Sequence, residues 1–218
     1  MTIILMLRRL ALAMLLGASL GTAIAGYVDE YDIDALVSAG KVDVQALKNH
    51  GPEVMPVLVS IYERSGPDKR AVIARVFYQL GWKSPRAEAV LMPDVRTSHK
   101  QLRLQVQWAL GRVSDDPAVV DALLNTMRHD SNPLFRDKAA CALAYDQIHL
   151  SEHQRLRVYE GLVESLRSEN PQVRDISMKA LKIHTGQTKG FRPRASAVER
   201  ADAIREWESW LDEYRNNL

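Results

Sequence analysis

The stretch Ser131–Ala144, SNPLFRDKAACALA, is repeated in outline at Glu169–Lys182, ENPQVRDISMKALK. Both stretches contain Asn-Pro-x-x-Arg-Asp, and their asparagines, Asn132 and Asn170, lie 38 positions apart. Asparagine is a preferred helix N-cap, and proline is favoured in the first helical turn, where it has no amide hydrogen to lose. The repeated phrase therefore predicts two equivalent helices and points to a chain built from repeated units.

Four such units can be aligned along the chain on a leucine that lies near the end of a helical segment in each unit. These leucines are Leu80, Leu110, Leu143 and Leu181, and the spacings between them are 30, 33 and 38 residues. Seven positions before the leucine, three units carry an arginine (Arg103, Arg136 and Arg174), whereas the first unit has Ile73. The apolar residues fall at helical spacing and show no useful period-two alternation, which predicts helices and not strands.

Each of these segments, named B, follows a second apolar segment, named A, across a short turn. The A segments begin at Pro52, Pro85, Pro117 and Ser151, and Ser151-x-x-Gln154 has the form of a capping box. Because the second A segment contains Pro93, we expect its helix to be short or broken. An antiparallel pair of this length cannot bury its apolar stripe alone, so the pairs are expected to stack into an α-solenoid.

The pattern predicts an all-α chain in which three helical parts follow residues 1–25. Residues 26–50 form an N-terminal helical segment with Asp43 as an N-cap, residues 51–187 form about four helix pairs, and residues 188–218 form a linker and a C-terminal capping helix. The capping helix begins at a second capping box, Ser196-x-x-Glu199, and carries Trp207 and Trp210 on its apolar face. We expect these tryptophans to be buried against the last repeat, and a recognition platform is the alternative.

The first 25 residues have the pattern of a secretory signal peptide. Two arginines precede an apolar run, and Ala23-Ile24-Ala25 has the small-x-small form of a cleavage site, which predicts cleavage between Ala25 and Gly26. The expected location is therefore the periplasm or the outside of the cell. A retained membrane anchor is the alternative, although the apolar run is shorter than the ~20 residues of a spanning helix. Translation from Met6 instead of Met1 would give a more usual signal.

The charge balance argues against a strongly basic, nucleic-acid-binding protein. The chain has 29 Lys and Arg residues against 27 Asp and Glu residues, and the excess consists of Arg8 and Arg9 in the signal segment. A neutral chain has no bulk attraction to nucleic acid or to anionic lipid, so no nucleic-acid partner is expected, and a membrane is expected only if the signal is retained as an anchor. The one cysteine, Cys141, cannot form a disulfide within the chain and is expected to be a small buried hydrophobe.

The motifs resemble HEAT-like repeats, especially the short bacterial form first named from phycobilisome lyases. The resemblance rests on Val54-Met55-Pro56-Val57-Leu58 in an A segment, on Asn-Pro-x-apolar-Arg, on Ala-Leu-Gly, and on a tail with paired tryptophans. It implies that Asp130 and Arg136 pair across the turn within one repeat. It also implies that Arg103, Arg136 and Arg174 form an internal ladder with turn carboxylates and carbonyls. A basic ladder for an anionic ligand is the alternative.

The sequence assigns no catalytic, cofactor-binding or metal-binding residue. The one Gly-x-Ser-x-Gly match, residues 17–21, lies in the signal segment, and His149 precedes a predicted helix start while His153 follows it. The expected function is an exported, non-catalytic interaction module or scaffold that binds another protein. The alternatives are a lyase-like enzyme or ligand-binding protein on the same scaffold, and a membrane-anchored structural protein of the cell envelope.

Overall fold

The computed structural model describes residues 29–38 and 42–218, so the predicted signal segment, with Ala25 and Gly26, lies outside the described residues. The described part contains eleven α-helices and two short 3₁₀ helices, and it contains no β-strand. The helices are α1 (Glu30–Ser38), α2 (Val44–Asn49), α3 (Val54–Arg64), α4 (Pro67–Leu80), α5 (Pro85–Leu91), α6 (Lys100–Val113), α7 (Pro117–His129), α8 (Pro133–Tyr145), α9 (Glu152–Ser165), α10 (Pro171–Thr185) and α11 (Ala197–Asn216). The expectation of an all-α fold is confirmed.

Helices α3 to α10 form four helix pairs that stack in sequence order. The B helices α4, α6, α8 and α10 pack on one another in an unbroken row. Among the A helices, α3 packs on α5 and α7 packs on α9. Helices α1 and α2 cover the first pair, and α11 packs against α9 at the other end. This arrangement is the predicted α-solenoid of four pairs with a C-terminal capping helix.

The helix starts follow the local chemistry of the sequence. The Oδ1 atoms of Asn132 and Asn170 accept hydrogen bonds from backbone amides two residues later, at 3.0 and 2.9 Å. The capping boxes at Ser151 and Ser196 are both formed, and Asp43 caps α2. Each cap satisfies an amide at the helix start that has no partner inside its own helix. The repeated Asn-Pro phrase thus marks where two B helices begin, as predicted.

The second A helix is broken at the predicted place. Helix α5 ends at Leu91, and a 3₁₀ helix, Met92–Arg96, continues the chain. Pro93 lies at the start of this 3₁₀ helix, where its missing amide hydrogen prevents a regular α-helical hydrogen bond. No helix within the described ranges combines the length and the apolar character that are needed to cross a lipid bilayer.

Candidate functional site

An arginine occupies the fourth residue of every B helix, and the four form an internal ladder. Three of them donate hydrogen bonds to backbone carbonyls at the A–B turn. These bonds run from Arg70 to Tyr62 (3.1 Å) and Glu63 (3.2 Å), from Arg136 to Asp130 (2.6 Å) and Ser131 (3.2 Å), and from Arg174 to Ser168 (2.8 Å) and Glu169 (2.9 Å). Carbonyls at the end of a helix lack partners within it, so the arginines close each turn.

The first rung of the ladder is Arg70, and the alignment on leucines, which assigns Ile73 to this position, is wrong. Ile73 is fully buried in the core. Helix α4 has three more residues between its arginine and Leu80 than the other B helices have, which shifts that alignment by almost one turn. The phrase Pro-x-x-Arg, which begins at Pro67 and also at Pro133, is the signal that identifies the correct residue.

The ladder also connects neighbouring repeats, and this corrects the expected pairing of Asp130. The Asp130 carboxylate pairs with Arg103 of the preceding repeat, and only its backbone carbonyl accepts from Arg136. The carboxylate of one repeat is therefore bound by the arginine of the repeat before it. In the same way, the Arg70 guanidinium lies 3.3 Å from Asp94 Oδ2 in the next repeat. These contacts hold the stack together, which is a structural role.

The two tryptophans of the capping helix have different environments. Trp207 is fully buried, whereas Trp210 is half-buried, and their ring centroids are 5.5 Å apart. The Trp210 ring also packs 5.4 Å from the Tyr159 ring of α9 and 5.3 Å from the Tyr214 ring. This aromatic cluster fills the space between α9 and α11, so its residues pack the end of the solenoid.

His149 links three repeats through the loop that follows α8. Its Nε2 atom lies 3.1 Å from the carbonyl oxygen of Gly81 and 2.9 Å from that of Arg112, at the ends of two earlier B helices. The same loop also packs closely on Gly111, where a Cβ atom would lie 2.9 Å from the carbonyl oxygen of Asp146. Within the described ranges, no group of three His, Cys, Asp or Glu residues is placed to hold a metal ion.

The outer side of the B row carries a set of large side chains in register, which the sequence analysis missed. Each B helix contains one of the aligned leucines, Leu80, Leu110, Leu143 and Leu181. Residues two positions before or after that leucine point about 200° away from it, because each residue of an α-helix turns by about 100°. Since the leucines are buried in the core, these positions face outward. We name this surface the B face, and it comprises Tyr78, Trp108, Arg112, Cys141, Tyr145, Lys179 and Ile183. Trp82, two positions after Leu80, lies beyond the end of α4 and is not part of it. The spacing of two from each leucine is the signal that could have found it.

The first half of the B face is a packed aromatic surface. The rings of Tyr78 and Trp108 lie 6.4 Å apart at a tilt of 48°, and the Arg112 guanidinium lies 4.7 Å from the Tyr78 ring centroid. Arg112 Nε donates to Asp146 Oδ1 at 3.1 Å. Burial raises the pKa of Asp146, and the hydrogen bond from Arg112 opposes that shift. The ion pair thus fixes the guanidinium against the ring.

The second half of the B face is an apolar groove between α8 and α10, with a volume of about 130 Å³. Alanines line it, and Tyr145 and Ile183 border it with exposures of 61% and 42%. Cys141 lies in the groove and is half-buried, so the expectation of a buried cysteine is only partly met, and burial raises the pKa of its thiol. Lys179 is paired with Asp175 at 2.7 Å.

Comparison with known proteins identifies the repeat type. Residues 45–144 match the family model of HEAT repeats, a range that runs from α2 to the penultimate residue of α8. No curated protein matches the chain. The remaining pair, α9 and α10, continues the same stacking and the same arginine ladder. The fold is therefore a HEAT-type α-solenoid, and residues 45–144 are similar to HEAT repeats.

Proposed function

We propose that the protein is an exported, non-catalytic scaffold that binds another protein through the B face. The observation that carries the proposal is the exposure of Tyr145 and Ile183 beside an apolar groove. Large exposed side chains next to a cavity are costly in water unless a partner covers them. HEAT repeats typically mediate contacts between proteins, which agrees with this use of the surface.

The composition of the B face suits a protein partner. Tyrosine, tryptophan and arginine are enriched at the centres of protein interfaces and supply most of their binding energy. Tyr78, Trp108 and Arg112 already pack on one another, so little conformational entropy is lost when a partner binds. The groove is too small for a helix, whose diameter is about 10–12 Å, and it suits a single apolar side chain of the partner.

The charges of the B face favour a protein over a nucleic acid. Arg112 is bound to Asp146, Lys179 to Asp175, and the neighbouring Lys138 to Asp137 at 3.0 Å. Nucleic-acid binding requires cations that are free to neutralise a row of phosphates. Cations already paired with carboxylates form no such row, so the surface is a poor match to a phosphate backbone.

The absence of catalysis is part of the proposal. His149 is bonded to backbone carbonyls and Asp146 to Arg112, so neither is placed as a free general base in a pocket. The lyase-like alternative would require such a group near the B face. Cys141, the one nucleophilic thiol, has its pKa raised by burial, which favours the unreactive protonated form.

A site-specific photo-crosslinker tests the surface in cells. We would place it at Tyr145 on the B face, and at Val198, which is 73% exposed on the capping helix, as the matched control. A discrete crosslinked protein at position 145 only, lost when Ile183→Asp is added, is the expected result. Equal crosslinking at both positions, or none at 145, would refute the B face as the binding surface.

Export is proposed from the residue pattern of positions 1–25 and is tested separately. Cell fractionation followed by N-terminal sequencing should recover a soluble periplasmic or secreted protein that begins at Gly26. Recovery of the unprocessed chain from the membrane fraction would instead support the anchored alternative, a structural protein of the envelope.

A further inference from the structure

The last arginine of the ladder differs from the others because it has no acidic or amide partner in the next unit. The side-chain partners of the first three rungs are a carboxylate, a carboxylate and an amide (Arg70 with Asp94, Arg103 with Asp130, and Arg136 with Gln172). Arg174 instead donates to three backbone carbonyls, those of Ser168, Glu169 and Pro193. Among the described residues it forms no ion pair.

A charge in this position is unfavourable without an anion. The Arg174 residue is only 7% exposed, and backbone carbonyls accept hydrogen bonds from its Nε and Nη1 atoms without neutralising its charge. Its Nη2 atom donates to no group in the described part of the chain, so it remains available to an anion. Burial and the nearby Arg200 both lower the pKa of Arg174, burial being the larger cause. Arg200 is itself bonded to a backbone carbonyl, that of Ala195. The positive charge of Arg200 therefore adds to that of Arg174 near the junction between α10 and the linker to α11.

This junction opens into a pocket that also contains Arg194. The pocket is lined by Pro171, Gln172, Arg174, Asp175 and Arg194. Arg194 is exposed and has no ion pair within the described part of the chain. The Asp175 carboxylate is already bound to Lys179, at 2.7 Å, so it does not neutralise the arginines. The first turn of α10, a 15-residue helix, adds its positive end to the same pocket.

We propose that this pocket binds an oxyanion, a phosphate or sulfate group, between the guanidinium groups of Arg174 and Arg194. Planar guanidinium groups bind such anions through paired, charge-assisted hydrogen bonds. The bound anion would supply the counter-ion that the fourth rung of the ladder lacks. The pocket lies at the last A–B turn and the linker, and it shares no lining residue with the groove of the B face, although its Asp175 pairs with Lys179 of that groove.

Isothermal titration of the full chain with sodium phosphate, at constant ionic strength, tests the proposal. The informative variant is Arg194→Gln, because this side chain is exposed and forms no ion pair in the part of the chain that the structure describes, so the fold should survive its loss. We expect the phosphate affinity to fall about tenfold, which corresponds to about 1.4 kcal/mol. Arg96→Gln, an equal charge change at an exposed arginine on another turn, is the control and should leave the affinity unchanged.

Thermal unfolding gives a second readout and separates the sources of the anion. Phosphate and sulfate should raise the unfolding midpoint of the wild-type chain above its value in sodium chloride of equal ionic strength, and less so in Arg194→Gln. Tighter binding of O-phosphoserine than of inorganic phosphate would assign the site to a phosphate ester, and the reverse order to the free ion. Equal effects of chloride and phosphate, or equal phosphate affinity in Arg194→Gln and wild type, would overturn the proposal.

Discussion

Replacement of Trp207 measures how much the capping helix contributes to the solenoid. The indole is fully buried, and its helix packs against α9, where it covers the last repeat. Trp207→Ala removes the whole ring from a packed site, and such changes cost roughly 3–5 kcal/mol of unfolding free energy. The Nε1 donor of Trp207 is buried and has no hydrogen-bond partner within residues 29–38 and 42–218. Trp207→Phe removes this unpaired donor, so it should cost less than ~2 kcal/mol.

Urea unfolding followed by circular dichroism is the appropriate assay. With an m-value of about 2–3 kcal/mol per molar urea, the midpoint of Trp207→Ala should fall by about 1–2 M. The control is Val198→Ala in the same helix, where an exposed side chain should change stability by less than ~0.5 kcal/mol. A loss below ~1 kcal/mol for Trp207→Ala would refute the packing of the cap, and the tryptophan would then become a candidate for recognition.

Three further changes test other contacts. Gly111→Ala should destabilise the protein by about 1–3 kcal/mol in thermal melting, although alanine has the better helix propensity, because the new Cβ atom would meet a backbone oxygen. The control is Gly66→Ala, where the new Cβ atom has open space, and this change should be nearly neutral. Asn170→Ala should cost about 1 kcal/mol in urea unfolding, since the first turn of α10 loses its cap; no loss would mean that the cap is dispensable. Burial lowers the pKa of His184, so the folded state favours the neutral ring. The stability that this gives is present at pH values above the ordinary histidine pKa of 6.5 and is lost as the pH falls below it. The loss of unfolding free energy between about pH 7 and about pH 5 should therefore be smaller in His184→Gln than in wild type, while His129→Gln at an exposed site should behave like wild type.

Much of the fold is predictable because its signals are local. Asn132 and Asn170 cap helices through amides two residues away, and Pro93 interrupts a helix through its own ring. These effects act within one turn of the chain, so they can be identified without a structure. The broken second A helix and the capping helix were expected for the same reason.

The candidate sites were less predictable because they depend on distances between helices that are far apart in the sequence. Both Arg103 and Arg136 are candidate partners for the Asp130 carboxylate, and only the stacking of the repeats decides that it binds Arg103. The alignment placed Ile73 at the arginine position and missed Arg70, because helix α4 has three more residues before its leucine and an alignment on one residue conceals that difference. The B face requires four helices to lie side by side.

The sequence by itself determined the helix starts, the pairing of A and B segments, and the stacked architecture. Caps, proline positions and apolar periodicity act over a few residues, and a short amphipathic pair has no other way to bury its stripe. Only the tertiary structure decided which side chain pairs with Arg70, Arg103 and Arg136, and that Arg174 has no carboxylate partner among the described residues. It also decided that Tyr145 and Ile183 border one groove. Those properties arise where elements that are separated in the sequence meet, because electrostatic pairing and burial depend on distance in space and not on distance along the chain.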